Sequence, residues 1–160
     1  MKRIILMVGI LMLLMTSGSW AAGTVVISSD TTKENVRIIE YLVTFGADGS
    51  SPDAVALDDI PLSTGGLAPT VGGAWLFKIS SLYGTTGPTD NTDFYIYRSI
   101  GTNRIDIMGA NGENKIDNVT DNANIYPATS TQPLFGTDIL SISGNSVANA
   151  TVTLAAETYR

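Results

Sequence analysis

The body of this chain consists of short runs of β-branched and aromatic residues, separated by clusters of Gly, Pro, Asn, Asp and Ser. From residue 23 onward no long segment repeats its apolar residues at the helical period, whereas several runs alternate apolar and polar residues. β-Branched side chains lose rotamer freedom in a helix and fit the pleated surface of a strand. The pattern therefore predicts an all-β fold of short antiparallel strands.

About eight strands are predicted in this way, with a further short run at 125–126. In the longest, Ile39, Tyr41, Val43 and Phe45 share one face at period two, and the β-branched content argues against a helix over 32–41. The predicted strands are 24–28, 36–45, 54–60, 74–80, 92–98, 104–108, 138–143 and 150–158.

The length and spacing of these strands predict one domain, over residues 22–160, built as an antiparallel β-sandwich. Jelly-roll connectivity is a specific option, although spacing alone does not determine connectivity. Two local predictions accompany this architecture. Trp75, Phe77 and Ile79 are expected on one face of their strand. The Gly144-Asn145-Ser146 segment is expected to close a hairpin between the last two strands.

Residues 1–21 predict a secretory signal peptide. Lys2 and Arg3 precede an apolar run and a stretch of small polar residues, which is the order found in such leaders. The apolar run is shorter than the roughly 20 residues of a membrane span. Because a peptidase needs small side chains just before its cut, we expect the mature chain to start at Ala22. This predicts a secreted or periplasmic protein without a membrane anchor after cleavage.

Charge and composition exclude several classes of function. The net charge of −6 becomes −8 when Lys2 and Arg3 leave with the leader, and the remaining basic residues are scattered, so nucleic-acid binding is not expected. The chain contains no Cys and no His. Disulfides, cysteine nucleophiles, serine–histidine pairs and histidine-ligated metals are therefore excluded, and no cofactor is expected.

Carboxylates are the catalytic groups that remain. Asp58 with Asp59, or Asp90 with Asp93, would supply the pair of carboxylates that glycoside hydrolysis requires. Neighbouring residues of an extended strand point to opposite faces, however, and Pro-Thr-Asp-Asn is typical of turns, where Asp and Asn bond their own backbone. We therefore expect a protein that is not an enzyme.

Two kinds of binding site are suggested by the loops and aromatics. Glu113, Asp117 and Asp121, accompanied by two Asn residues, concentrate oxygen ligands in one segment where calcium is an option, although EF-hand spacing is missing. Trp75, Tyr95 and Tyr97 are the candidates for an exposed binding surface that would recognise a sugar or a partner protein. Their alternative role is core packing or cross-strand pairing, and the same holds for Tyr83 and Tyr126.

Four segments follow one another in a recognisable order: a Trp-bearing strand, a Pro-Thr-Asp loop, an Asp-Ile-hydrophobic-Gly-Ala turn and a closing hairpin. They lie at 75–80, 88–93, 106–111 and 140–150. Across roughly residues 45–154 the chain resembles uncharacterised small β-rich proteins encoded in bacteriophage and prophage structural gene regions. The resemblance implies a virion-type structural or accessory protein and no enzymatic activity.

These observations lead to one expected function and one alternative. The first is an exported, non-enzymatic β-sandwich that serves as a structural or protein-interaction module, with protein subunits or copies of itself as partners. The resemblance suggests a phage origin for this module. The alternative is a small secreted carbohydrate-binding domain that uses exposed aromatics such as Tyr95 and Tyr97.

Overall fold

The fold is described from a computed structural model, which describes residues 22–66, 70–116, 123–129 and 131–159. The predicted leader at 1–21 lies outside these residues. Over the described ranges the regular structure consists of strands and two short 3₁₀ turns, so the all-β prediction is confirmed. None of these ranges contains a helix with the length and apolarity that a membrane span requires.

The described residues form ten strands, most of which pair over four or more residues. The 3₁₀ turns are Leu57–Asp59 and Gly109–Gly112. The strands are β1 (Thr24–Lys33), β2 (Val36–Thr44), β3 (Val55–Ala56), β4 (Trp75–Tyr83), β5 (Asp93–Ile100), β6 (Asn103–Asp106), β7 (Ala123–Ile125), β8 (Gln132–Pro133), β9 (Ile139–Ser143) and β10 (Thr151–Tyr159).

The strands form two antiparallel sheets. Sheet 1 has the order β1-β2-β10-β4-β7, and β8 pairs with one end of β4. Sheet 2 has the order β3-β9-β5-β6. Strand pairs β1–β2 and β5–β6 are hairpins within a sheet, whereas the chain passes between the sheets after β2, β3, β4, β6, β8 and β9. Most of the topology is therefore non-local.

One cluster of buried apolar side chains draws on both sheets. In β2 the predicted alternation is confirmed, since Ile39, Tyr41 and Val43 are buried and the residues between them are half-buried. In β5 Phe94 and Ile96 are likewise buried while Tyr95 and Tyr97 are not. The other strands that contribute buried apolar residues are β1, β4, β7, β9 and β10, through Ile27, Leu76, Ile79, Ile125, Leu140, Ile142, Val152, Leu154 and Ala156.

Two predicted local structures are wrong. The predicted strand 54–60 is extended only at Val55–Ala56, after which Leu57–Asp59 forms a 3₁₀ turn. Asp58 is a poor strand residue, and its carboxylate accepts a hydrogen bond from the backbone N–H of Val71 at 2.7 Å. The predicted hairpin around Gly144-Asn145-Ser146 also fails, because β9 and β10 belong to different sheets.

The predicted face of β4 is wrong as well, for a reason that matters for function. Thr158 of β10 pairs with Leu76, and the next residue, Glu157, pairs with Lys78, so Phe77 is an extra residue in the ladder. Such a bulge shifts the alternation of a strand by one position. Leu76 is therefore buried, whereas the side chain of Trp75 is 50% exposed.

Candidate functional site

Four aromatic side chains, which we call the aromatic patch, lie together at one end of sheet 1: Trp75, Phe77, Tyr126 and Tyr159. Phe77 contacts Tyr126 and Tyr159 edge to face, with ring centroids 5.8 and 5.6 Å apart. Tyr159 pairs directly with Trp75 across β10 and β4. Trp75, Tyr126 and Tyr159 are exposed, so the patch presents apolar rings to solvent.

The patch continues across the outer face of sheet 1. Tyr159 also pairs with Val36 on its other side, and Glu157 pairs with Ile38. Val36 and Ile38 line a shallow depression of 350 Å³ above the β1–β2 hairpin. The outward face of the sheet therefore carries apolar residues from the patch as far as β2, where Thr31, Lys33 and Glu34 complete the lining of the depression. Exposed apolar surface rimmed by polar residues is the type of surface that marks an interaction site.

This face is also electrically balanced. The strands of sheet 1 contain three acidic and three basic residues, in a chain whose net charge is −6. Lys78 and Glu157, beside the patch, form an ion pair of 2.8 Å, and this contact raises the pKa of Lys78. The acidic surplus of the protein therefore lies outside these strands.

A small cleft opens next to the patch, where the chain leaves β7. Its volume is 290 Å³, and its lining consists of Asn111, Lys115, Asn124, Ile125 and Tyr126. The side-chain amide nitrogen of Asn111 donates to the carbonyl oxygen of Tyr126 at 3.0 Å. Asn124 Oδ1 accepts from Ser80 Oγ at 2.9 Å. These two bonds fix the two sides of the cleft.

Tyr95 and Tyr97 lie on the outer face of sheet 2, so the structure separates them from Trp75. Their rings stack with a centroid distance of 5.3 Å and an interplanar angle of 15°. Arg104 lies over the ring of Tyr97 at 5.9 Å. The ring of Tyr97 therefore has both Tyr95 and Arg104 as neighbours.

The surroundings of this tyrosine pair are acidic. Tyr95 Oη donates to Asp93 Oδ2 at 3.2 Å. Burial, followed by that hydrogen bond, raises the pKa of Tyr95 to about 12. Burial, followed by the charge of Asp106, also raises the pKa of Tyr97. Both phenols therefore remain neutral hydrogen-bonding groups at ordinary pH.

Two of the four candidate catalytic carboxylates, Asp58 and Asp93, accept hydrogen bonds from backbone N–H groups. Asp58 and Asp59 are exposed on the first 3₁₀ turn, and Asp58 holds the N–H of Val71. Asp93 Oδ1 accepts from the backbone N–H of Asn114 at 2.7 Å. Asp90 is an exposed turn residue that also makes an interaction. These bonds of Asp58 and Asp93 span 13 and 21 residues, so they join separate segments and are not the local bonds of an Asp turn.

Of the three candidate calcium ligands, the structure describes Glu113 alone, while Asp117 and Asp121 lie outside the described residues. Glu113 is exposed and ends the second 3₁₀ turn. Within the described ranges no three Asp or Glu residues come close enough together to hold a metal ion.

Sequence reasoning identified Trp75 and missed most of its neighbours. Phe77 was expected on the same face as Trp75 and Ile79, because a bulge cannot be recognised from alternation alone. Tyr159 is the last residue of β10 and lies at an outward position; continuing the period-two pattern of the predicted strand by one residue would have found it. The contribution of Asn111 depends on a contact with residue 126, for which the sequence carries no signal.

Comparison of the sequence with protein-family models and with curated proteins, and of the fold with solved structures, found no match.

Proposed function

We propose that this chain is an exported, non-enzymatic β-sandwich that assembles with other copies of itself through the outer face of sheet 1. The observation that carries the proposal is the aromatic patch, in which Trp75, Tyr126 and Tyr159 expose large apolar surfaces on a rigid sheet. Tyr and Trp are enriched in interface hot spots because they bury much area at low entropic cost.

The sandwich part of the proposal is supported by the core, to which both sheets contribute. Jelly-roll topology is supported by the strand pairs. A jelly roll arises when a long antiparallel hairpin curls up, so that its first strand pairs with its eighth, its second with its seventh, and so on inward. Without the extra strands β1 and β8, those four pairs are β2–β10, β3–β9, β4–β7 and β5–β6, and all four are present.

A second copy is the partner that the charges favour. Two chains of this acidity repel each other unless they meet through a region without net charge, and the strands of sheet 1 are such a region. Four strands of nine or ten residues cover roughly 600 Å² in projection, at about 4.8 Å between strands and 3.3 Å per residue. This approaches the roughly 800 Å² per partner of a standard interface.

Export is supported by the leader sequence at 1–21, and the proposed assembly role agrees with the likeness to phage structural proteins over residues 45–154. A domain of phage origin that has acquired a leader would combine both features. The genes beside this one test that origin: phage structural genes support it, and unrelated metabolic genes count against it.

Size-exclusion chromatography with light scattering tests the assembly. Residues 22–160 should form dimers or larger species whose mass falls on dilution, and Tyr159→Lys should give a monomer. The matched control is Ile105→Lys, because Ile105 is 49% exposed on β6 of sheet 2. A wild-type protein that stays monomeric at every concentration, or two variants that behave alike, would contradict the proposal.

A further inference from the structure

The cleft beside the aromatic patch combines an exposed ring with polar groups that have unused hydrogen-bonding capacity. Tyr126 is 49% exposed, and its contact with Phe77 holds the ring in place. Asn111 uses its amide nitrogen on the carbonyl of Tyr126, so its oxygen remains an acceptor. The cleft thus has an apolar wall next to an acceptor at a fixed position.

Two donors complete the lining. Asn124 receives hydrogen bonds at its oxygen from Ser80 at 2.9 Å and from Lys78 at 3.4 Å, which leaves its amide nitrogen to donate. Lys115 is exposed, and its ammonium group has no partner among the residues that the structure describes. One acceptor, two donors and one ring therefore converge on the same space.

A sugar ring matches this combination. Each hydroxyl both donates and accepts, while the C–H face of the ring packs on an aromatic side chain. The volume of 290 Å³ is just below the range of about 300–1,000 Å³ for small-molecule sites. Phosphate-bearing ligands are disfavoured by the net charge of −6. We propose that the cleft formed by Asn111, Lys115, Asn124 and Tyr126 binds one residue of a neutral saccharide.

The site differs from the tyrosine pair that the sequence suggested for carbohydrate. The ring of Tyr97 has Tyr95 and Arg104 as neighbours, whereas Tyr126 is 49% exposed beside polar groups with hydrogen-bonding capacity. The side chains lining the cleft belong to one chain, but Tyr126 is also part of the aromatic patch, so assembly through that patch competes with saccharide binding.

An array of neutral oligosaccharides of glucose, N-acetylglucosamine, galactose and mannose, followed by isothermal titration with residues 22–160, tests the proposal. We expect binding that Tyr126→Ala weakens about tenfold, close to 1.4 kcal/mol, and that Lys115→Ala also weakens. Lys115 is exposed and makes no ion pair with the residues that the structure describes, so its variant tests the site even if Tyr126→Ala reduces folding. Tyr97→Ala is the matched control and should bind normally.

Three results would overturn the proposal: no binding to any neutral oligosaccharide, binding that survives both cleft variants, or binding that Tyr97→Ala abolishes. The last would assign sugar recognition to sheet 2. The titration is run with wild type and with Tyr159→Lys, because assembly through the aromatic patch covers Tyr126. Absence of binding in both proteins contradicts the saccharide site, whereas light scattering reports on assembly separately.

Discussion

The guanidinium group of Arg37 on β2 holds the carboxylate of Asp30 on β1 through two hydrogen bonds of 2.8 Å, from Nε and Nη2. Its third nitrogen, Nη1, donates to the carbonyl oxygen of Thr70 at 2.8 Å. Arg37 is 4% exposed, and the hydrogen bond to Asp30 raises its pKa. The buried guanidinium group of Arg37 therefore links β2 to the edge strand β1 and to the segment before β4.

Replacing Asp30 by Ala should lower the free energy of unfolding by about 3 kcal/mol, because it leaves the buried charge of Arg37 without its counter-ion. Urea denaturation measures the change. Lys78→Ala is the control, since it breaks an ion pair of the same length, 2.8 Å, that is more open to solvent. We expect that variant to lose less than about 1 kcal/mol. Equal losses in the two variants would show that burial does not matter here.

A buried carboxylate, that of Asp138, organises the chain between β8 and β9. Asp138 is 1% exposed; it receives hydrogen bonds from Arg98 at 3.0 and 2.9 Å and from the backbone N–H of Phe135 at 2.9 Å. Arg98 in turn lies 4.2 Å from the centroid of the Phe135 ring and donates to the carbonyl of Pro133. One ion pair thus positions the loop that joins sheet 1 to sheet 2.

Asp138→Ala should therefore cost about 3 kcal/mol of stability and loosen this loop. Hydrogen exchange should show faster exchange at residues 133–138, while the amides of β2 and β10 keep their relative protection. Asp59→Ala, at an exposed position, should change neither quantity. Unchanged exchange in the loop of the Asp138 variant would contradict the positioning role of the ion pair.

Gly112 is required by a close approach to β5. A Cβ atom at this position would lie 2.1 Å from the carbonyl oxygen of Phe94, which belongs to the backbone and cannot swing away. Gly112→Ala should therefore destabilise the protein by about 2 kcal/mol, as in other overpacked sites. The control is Gly72→Ala, where the nearest atom would be 3.4 Å from the new carbon. Similar melting temperatures of the two variants would refute this account.

The elements predicted well from the sequence are those whose signal is local. Alternation within β2 predicted the face shared by its buried residues, because period two is a property of the strand itself. The positions of the long strands were also predicted to within a few residues. What the sequence could not supply was the partner of each strand, since β9 and β10 are neighbours in sequence and lie in different sheets.

The same distinction applies to the site. Trp75 was a candidate because of its residue type, but its exposure comes from a bulge that is set by pairing with Glu157 and Thr158 of β10. Tyr95 and Tyr97 share one face, as alternation indicates, but their stacking on each other and the position of Arg104 over the Tyr97 ring were not predicted. Side-chain contacts of this kind depend on tertiary register, which alternation does not encode.

Asp106 should make stability depend on pH in the acid range. Burial, more than the charge of Glu113, raises its pKa above the ordinary value, so the folded state disfavours the ionised carboxylate. Its contribution to stability is therefore present at low pH and is lost as pH rises from about 3.9 through the raised value. Asp106→Asn keeps an acceptor for the N–H of Met108. The variant should gain melting temperature relative to wild type as pH rises from about 3 to about 6; a constant difference would contradict the prediction.

Tyr41 is the buried polar group that the fold leaves least satisfied. Its side chain is 4% exposed, and its hydroxyl has no hydrogen-bond partner among the described residues. An unsatisfied buried hydroxyl costs about 1–3 kcal/mol. Tyr41→Phe should therefore raise the free energy of unfolding at neutral pH by about 1 kcal/mol. Tyr83→Phe, at a half-buried position, should change stability by less than about 0.5 kcal/mol.

The same substitution should alter the response to alkali. Burial raises the pKa of Tyr41 far above its ordinary value, so the folded chain keeps this phenol neutral while the unfolded chain ionises it above about pH 10. The stability that wild type has below that pH is therefore lost as pH rises further. Tyr95 and Tyr97 are retained in both proteins, so the difference between the two unfolding curves isolates Tyr41. Tyr41→Phe should unfold at higher pH than wild type, and coincident alkaline transitions would contradict the raised pKa of Tyr41.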